Sequence, residues 1–546
     1  DGTFSGALGD ANGTLAVTKV GAGSQTFSGA NTYAGQTTVS DGTLKLGHDA
    51  GLGFGGRHAV NVGVGGTQVD GTGIVDLDGR TVNEPITLAG GSLVNNNAAA
   101  ATLADGLAGI YYTNEGSGYT TTGSGVLSFT GGGGSGASGS YTANYNKVLT
   151  LQLTGAGSGY TSAPAITVVG PTGSGANPMA VLSSLTLTGT DNTIGGSGDM
   201  TIAAVVSGAG GGFSKTGAGT LTLSAVNTYT GPTAVQGGTV NVAGSLADTT
   251  VSVHSGGALG GTGTIAGTVS FGDGGTARPG ASVGELTINN TVTFEAGSAY
   301  QWELSAGGGD HIQVNGDLAV TGSPVLRLVN LDNTDPTGQT YDIITFTGDL
   351  TANAPWTIDY GATATSGTVS NWTDGNSSWD IASNWDQFGW SGGAVSYTDT
   401  TVQLSGLVDG YIAPGPDTDV VIAPPNDAAV TGPAAPRSIN SLTLGDGSAY
   451  DHSLTLQAGG PLTVATTVAV NTSGTLEAAA GGLTAGQVTV TGAAHLANAL
   501  DIDALNSGGT TQFSAGASGT VGALTVTAGT TTLAGGTTHI AAATVA

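Results

Sequence analysis

Apolar residues along this chain fall in short alternating runs. In TLTL from Thr220 and TVNV from Thr239, Leu221 alternates with Leu223 and Val240 with Val242, the period that sets side chains on one face of a strand. The apolar positions are mostly Val, Leu, Ile and Ala among Thr, Ser and Gly, a strand composition, and Gly and Asn mark the corners between runs. Helix formers such as Glu, Lys, Gln and Met are scarce, and no stretch sustains an i, i+3, i+4, i+7 apolar stripe between caps. An all-β chain is predicted.

The runs are organised by a long-range repeat. KVGAGSQTFSGANTYAGQTTVSDGTLKL from Lys19 aligns without gaps to KTGAGTLTLSAVNTYTGPTAVQGGTVNV from Lys215, with about half the positions identical. One copy cannot bury its own apolar face; stacked copies can, because each rung covers the next along a common axis. The repeated Asn31–Tyr33 and Asn227–Tyr229 read as architecture, with Asn forming hydrogen-bonded ladders at successive turns and Tyr capping a corner.

Both copies resemble the autotransporter-associated β-strand repeat. A second resemblance runs from Gly257 through GGDHIQVNGDLAVTG to GQTYDIITFTG, and is similar to the passenger segment that follows such repeats. A third, NWTDGNSSWDIASNWDQFGW from Asn371 with PGPDTDVVIAPP, is similar to Trp-rich modules that open new solenoid stretches. The resemblance implies a right-handed parallel β-helix (β-solenoid) with a β-hairpin insert and a Trp-rich β module. It also implies a secreted, extracellular or cell-surface structural or adhesive protein. The expected divisions are 1–104, an N-terminal solenoid; 105–183, a Gly/Ser/Tyr-rich insert carrying GSGY at Gly116–Tyr119 and again at Gly157–Tyr160; 184–368, solenoid with the second repeat; 369–450, the Trp-rich module; and 451–546, C-terminal rungs. The family's C-terminal membrane barrel has no counterpart in the closing HIAAATVA, which also lacks a polar cap. Head-to-tail stacking of copies into a fibre or biofilm matrix is therefore an expectation. The start at Asp1 reads as a mature product whose targeting signal was removed.

Composition narrows the partners. The 546 residues include 100 Gly, no Cys and 8% charged residues, with a formal net charge of −28. Disulfides and thiolate metal sites are excluded, and nucleic acid and anionic membranes are poor electrostatic partners. No run approaches a membrane-spanning helix, so this chain is not expected to insert in a membrane.

Candidate chemistry is sparse, and a non-enzymatic protein without cofactor is expected. The nine basic residues Lys19, Lys45, Arg57, Arg80, Lys147, Lys215, Arg278, Arg327 and Arg437 are scattered, unlike the clustered base a polysaccharide lyase needs. Asp332 with Asp335, and Asp417 with Asp419, are the nearest to paired hydrolytic carboxylates. Both pairs sit beside Pro and read more readily as turn formers; Ca²⁺ at either, and metals generally, stay unassigned. Asp310-His311 reads as a turn entering a strand rather than a dyad. Trp372, Trp379, Trp385 and Trp390, with Asn371, Asn376 and Asn384, carry two readings: aromatic faces that stack on a surface glycan, or plugs at a solenoid junction. Three functions remain open: a fibre or matrix subunit, a monomeric glycan-binding adhesin, and a polysaccharide lyase or hydrolase.

Overall fold

The computed structural model describes residues 1–9, 15–53, 65–119, 123–144, 146–170, 173–331, 336–359, 368–371, 377–378, 388–411, 418–423, 428–433, 436–447, 450–456, 461–478, 482–496, 499–513, 517–534 and 537–545. Every regular element among them is a strand. The chain divides into two units: Asp1–Thr334 with Tyr341–Ile358 and Val395–Gln403, and Asp335–Thr340 with Asp359–Ala394 and Leu404–Ala546.

In the first unit, from Thr233 to Phe346, each turn of the chain lays one short strand into each of three parallel sheets. Val251–Val253, Gly257–Gly261 and Thr264–Ile265 make one such turn, followed by Val269–Phe271, Thr276–Pro279 and Glu285–Ile288. Alternation decides what lies inside. Val235, Val253, Phe271, Phe294 and Val320 stack rung upon rung on one wall, and Leu221, Val240 and Leu259 on the next. All of these side chains are buried. The Phe271 and Phe294 rings lie 4.8 Å apart and 13° from parallel, an offset-stacking distance that adds to the area they remove from water.

The expected Asn ladder is not what the corners contain. Asn227 accepts from Val206 N (2.9 Å) on the preceding rung and donates to Ser245 O (3.0 Å) on the following one. Asn31 does the same between Leu8 N (2.8 Å) and Gly51 O (2.6 Å). Each amide bonds main chain on both sides instead of another Asn, because a corner leaves backbone groups that no sheet partner satisfies. Tyr33 and Tyr229 are fully buried, and their hydroxyls bond Thr37 Oγ1 (2.6 Å) and Thr233 Oγ1 (2.8 Å).

Between two consecutive rungs the chain makes an excursion. Pro85–Ala89, Ser92–Val94 and Ala101–Leu103 pair in parallel with Ser184–Leu187, Asn192–Gly195 and Met200–Ile202, so the solenoid resumes in register after about eighty residues. The intervening strands pair antiparallel: Leu107–Ser117 with Ser174–Leu182, and Ser135–Asn144 with both Gly123–Thr130 and Lys147–Ser158. They bury a core of their own containing Ile110, Tyr112, Leu127, Tyr141 and Leu151. The recurring GSGY closes strands Leu107–Ser117 and Lys147–Ser158: Gly116 and Gly157 have φ of 70° and 65° within their last residues, and Tyr119 and Tyr160 turn into that core. The neck is narrow, with Ser183 N donating to Gly106 O at 3.0 Å.

The second unit is also built of parallel rungs. Leu462–Val470, Leu483–Val490, Ala499–Ser507 and Ser518–Val526 follow one another in one sheet, and Leu442, Val468, Val488, Leu505 and Leu524 form a continuous buried column. Thr418–Ile422 pairs with Thr368–Asn371 on one side and Ser441–Leu444 on the other, both in parallel.

Candidate functional surface

The first side chains to stand out are two lysines at the same place in the two repeats. Lys215 is buried, and its ammonium donates to the carbonyls of Thr216 (2.9 Å), Gly217 (3.1 Å) and Gly237 (3.0 Å). Lys19 bonds the equivalent carbonyls of Val20 (3.1 Å), Gly21 (2.5 Å) and Asp41 (3.0 Å). Burial lowers the Lys215 ammonium to about 8, against the opposing pull of the Asp199 carboxylate. The glycine facing each lysine is required. Gly238 has φ +64°, and a Cβ there would lie 2.8 Å from Lys215 Nζ and 2.5 Å from two carbonyl oxygens. Gly42 has φ +66° and meets Lys19 Nζ at 2.7 Å. These lysines are architectural. Counting basic residues as scattered missed them, and their identical position in both repeats was the signal.

The candidate carboxylates and histidine separate. Asp332, Asp335 and Asp417 lie outside the described residues, while Asp419 belongs to strand Thr418–Ile422, opposite Ser441, and not to a Pro-containing turn. Asp310 accepts from Gly284 N (2.9 Å) and Glu303 N (3.1 Å) and so fastens a turn. Burial raises its carboxyl to about 7, the two amide bonds pulling the other way. His311 opens strand His311–Val314, with Nδ1 2.9 Å from Glu285 Oε2 and Nε2 3.1 Å from Thr345 Oγ1. That order of carboxylate, imidazole and hydroxyl has the outline of a nucleophile relay. However, Thr345 gives its proton to Gln313 Oε1 at 2.5 Å, so the hydroxyl meets the ring as an acceptor, and the contacts hold the imidazole in place.

Glu84 is a buried carboxyl deep in the first unit. Its Oε1 accepts from Thr67 Oγ1 at 3.0 Å and its Oε2 has no partner. Burial raises it to about 8, the Thr67 bond offsetting part of the shift. Among the described residues no three His, Asp or Glu side chains are placed to hold a metal ion, and no helix is long and apolar enough to cross a membrane.

Trp372, Trp379 and Trp385 lie outside the described residues, as do Asn376 and Asn384. Trp390 falls in strand Phe388–Tyr397.

What the structure does present is an open trough on the outer face of the middle sheet. Two depressions of roughly 230 and 380 Å³ share Thr239 and Arg278. One is lined also by Thr220, Asn241 and Glu303, the other by Thr276, Gln301 and Arg327. The glycine strand Gly257–Gly261 lines both depressions, and it packs so closely on its neighbour that a side chain at Gly260 would meet the Arg278 carbonyl at 1.7 Å. Glycines inside a strand were the sequence signal for a close backbone approach here.

Comparison with known proteins places these observations. Residues 17–46 and 213–242 match the Passenger-associated-transport-repeat, the two segments carrying the lysine clamps and Asn-Thr-Tyr corners. Over 258 residues the chain is 30% identical to the adhesin BmaC autotransporter of Brucella suis biovar 1 (strain 1330). That match covers 43% of this chain and 7% of that protein, so the chain spans a small part of its relative's length. Repeats and rungs agree: the chain carries two segments similar to the passenger-associated transport repeat, and its fold is a parallel β-solenoid.

Proposed function

We propose that the chain is a stretch of a secreted, surface-displayed passenger with a non-enzymatic, adhesive role. The observation that carries the reading is the stack of parallel rungs built on passenger-associated repeats, from which the antiparallel segment Leu107–Leu182 branches without disturbing the register. A solenoid with a continuous core holds its outer faces at fixed spacing, and segments that project between rungs are where such folds carry binding surfaces. The similarity to a protein named as an adhesin points the same way.

The test is attachment. Fluorescent beads coated with the purified chain are expected to be retained on eukaryotic cell monolayers or on extracellular matrix above albumin-coated beads. Retention no better than albumin on either surface would overturn the reading. Head-to-tail association into fibres or a biofilm matrix is a separate proposal, decided by whether negative-stain electron microscopy shows filaments with a regular axial repeat or single particles.

A further inference from the structure

We propose that the trough containing Arg278 and Arg327 binds a carboxylated polysaccharide strand laid across the rungs. This deepens the adhesive reading and rests on it. The two depressions meet at Thr239 and Arg278 and so form one trough. Its long direction follows from the register: Thr222 pairs with Asn241, Asn241 with Gly260 and Gly260 with Arg278, and two rungs on from Arg278 lies Arg327, opposite Gln301.

Charge identifies the occupant. In a chain of net charge −28, Lys19 and Lys215 are committed to carbonyls, and Lys45 and Lys147 to Asp78 (3.0 Å) and Glu115 (2.7 Å). Arg278 and Arg327 are exposed in the trough, and Arg278 makes no ion pair among the described residues. Two strand spacings put them about 10 Å apart, so their planar guanidinium groups can take two carboxylates on one side of an extended polymer. Gln301 between them and Thr276 on the Arg278 strand offer amide and hydroxyl partners for sugar hydroxyls.

A peptide is a poorer fit. The strands forming this face are paired on both edges, which leaves no free backbone for strand addition. Glu303 stands at the trough wall with its carboxylate held by Gln301 Nε2 at 3.1 Å. It opposes a densely charged polyanion such as nucleic acid more than a polymer with one carboxylate per sugar.

The experiment is isothermal titration of the full chain with oligogalacturonate and, separately, with a neutral dextran oligosaccharide at low salt. Binding of the uronate alone is expected, weakened by salt and reduced about ten-fold or more in Arg278→Gln/Arg327→Gln. Both side chains are exposed, and far-UV circular dichroism checks the fold; the single Arg327→Gln variant provides a second, milder reduction. Equal binding of dextran, or uronate binding that the variants leave unchanged, overturns the proposal. If no uronate binds while coated beads still adhere, this site assignment fails and the adhesive reading stands. Uronate binding without bead adhesion fails the adhesive reading instead.

Discussion

A buried ammonium that donates to three carbonyls holds its rung mainly by hydrogen bonds, with Asp199 adding only a Coulombic pull. Replacing Lys215 with Met keeps the apolar stem and leaves the carbonyls of Thr216, Gly217 and Gly237 without their donor. With Thr216 and Gly237 half-buried and Gly217 exposed, water replaces part of the lost bonding, so at about 0.5 kcal/mol net for each bond the loss is about 1.5 kcal/mol, read as faster amide exchange across Phe213–Thr216 and Gly238–Val242. Glu84 acts through pH. Its carboxyl is raised from 4.5 to about 8 in the fold, so the native state binds a proton that the unfolded chain has released. Its contribution is therefore full below about 4.5 and is lost as the pH rises through about 8. Glu84→Gln keeps a neutral side chain at every pH. It is expected to leave the surrounding rungs as stable at pH 9 as at pH 5, while the parent protein weakens; equal pH dependence in the two proteins, followed by hydrogen exchange, would show that Glu84 is not the group responsible.

At the scale of elements, the positions that matter most are those where backbone meets backbone. Gly238→Ala introduces a side chain at φ +64° and 2.5 Å from the Gly217 and Gly219 oxygens. The turn must shift and the lysine beneath it loses its cradle, so a loss at least as large as that of Lys215→Met is expected in chemical denaturation. The antiparallel segment is the opposite case. Because Ser183 bonds Gly106 and the rungs on either side already pair, joining Gly106 to Ser183 through a short turn should leave the solenoid folded, with its far-UV spectrum still that of a β protein. Collapse of the deletion variant would show that the segment supports the rungs. Alternation and repeats made the strands legible in the sequence, since a period of two leaves little choice of face at Leu221 or Val240. Their pairing partners were less so, because a rung selects its neighbour by three-dimensional stacking that only the repeats reveal.

For the whole molecule, each rung contacts its neighbours and little else, so stability is close to a sum of local terms. The exchange change from Lys215→Met is therefore expected to fade within a few rungs and to be absent from Leu483–Val490; a uniform change along the chain would contradict that locality. The same logic explains what the sequence withheld. The trough draws on residues from Thr220 to Arg327, more than a hundred positions apart, and no local motif joins them. The lysine clamps were hidden differently, since a charged residue in a buried wall looks from sequence like a surface residue. The narrow neck at Gly106 and Ser183 bears on how such chains diversify. A piece whose two ends lie one hydrogen bond apart can be acquired, exchanged or lost in a single recombination event without retuning any buried contact, so descendants of one solenoid can differ abruptly in what they display while keeping the same core.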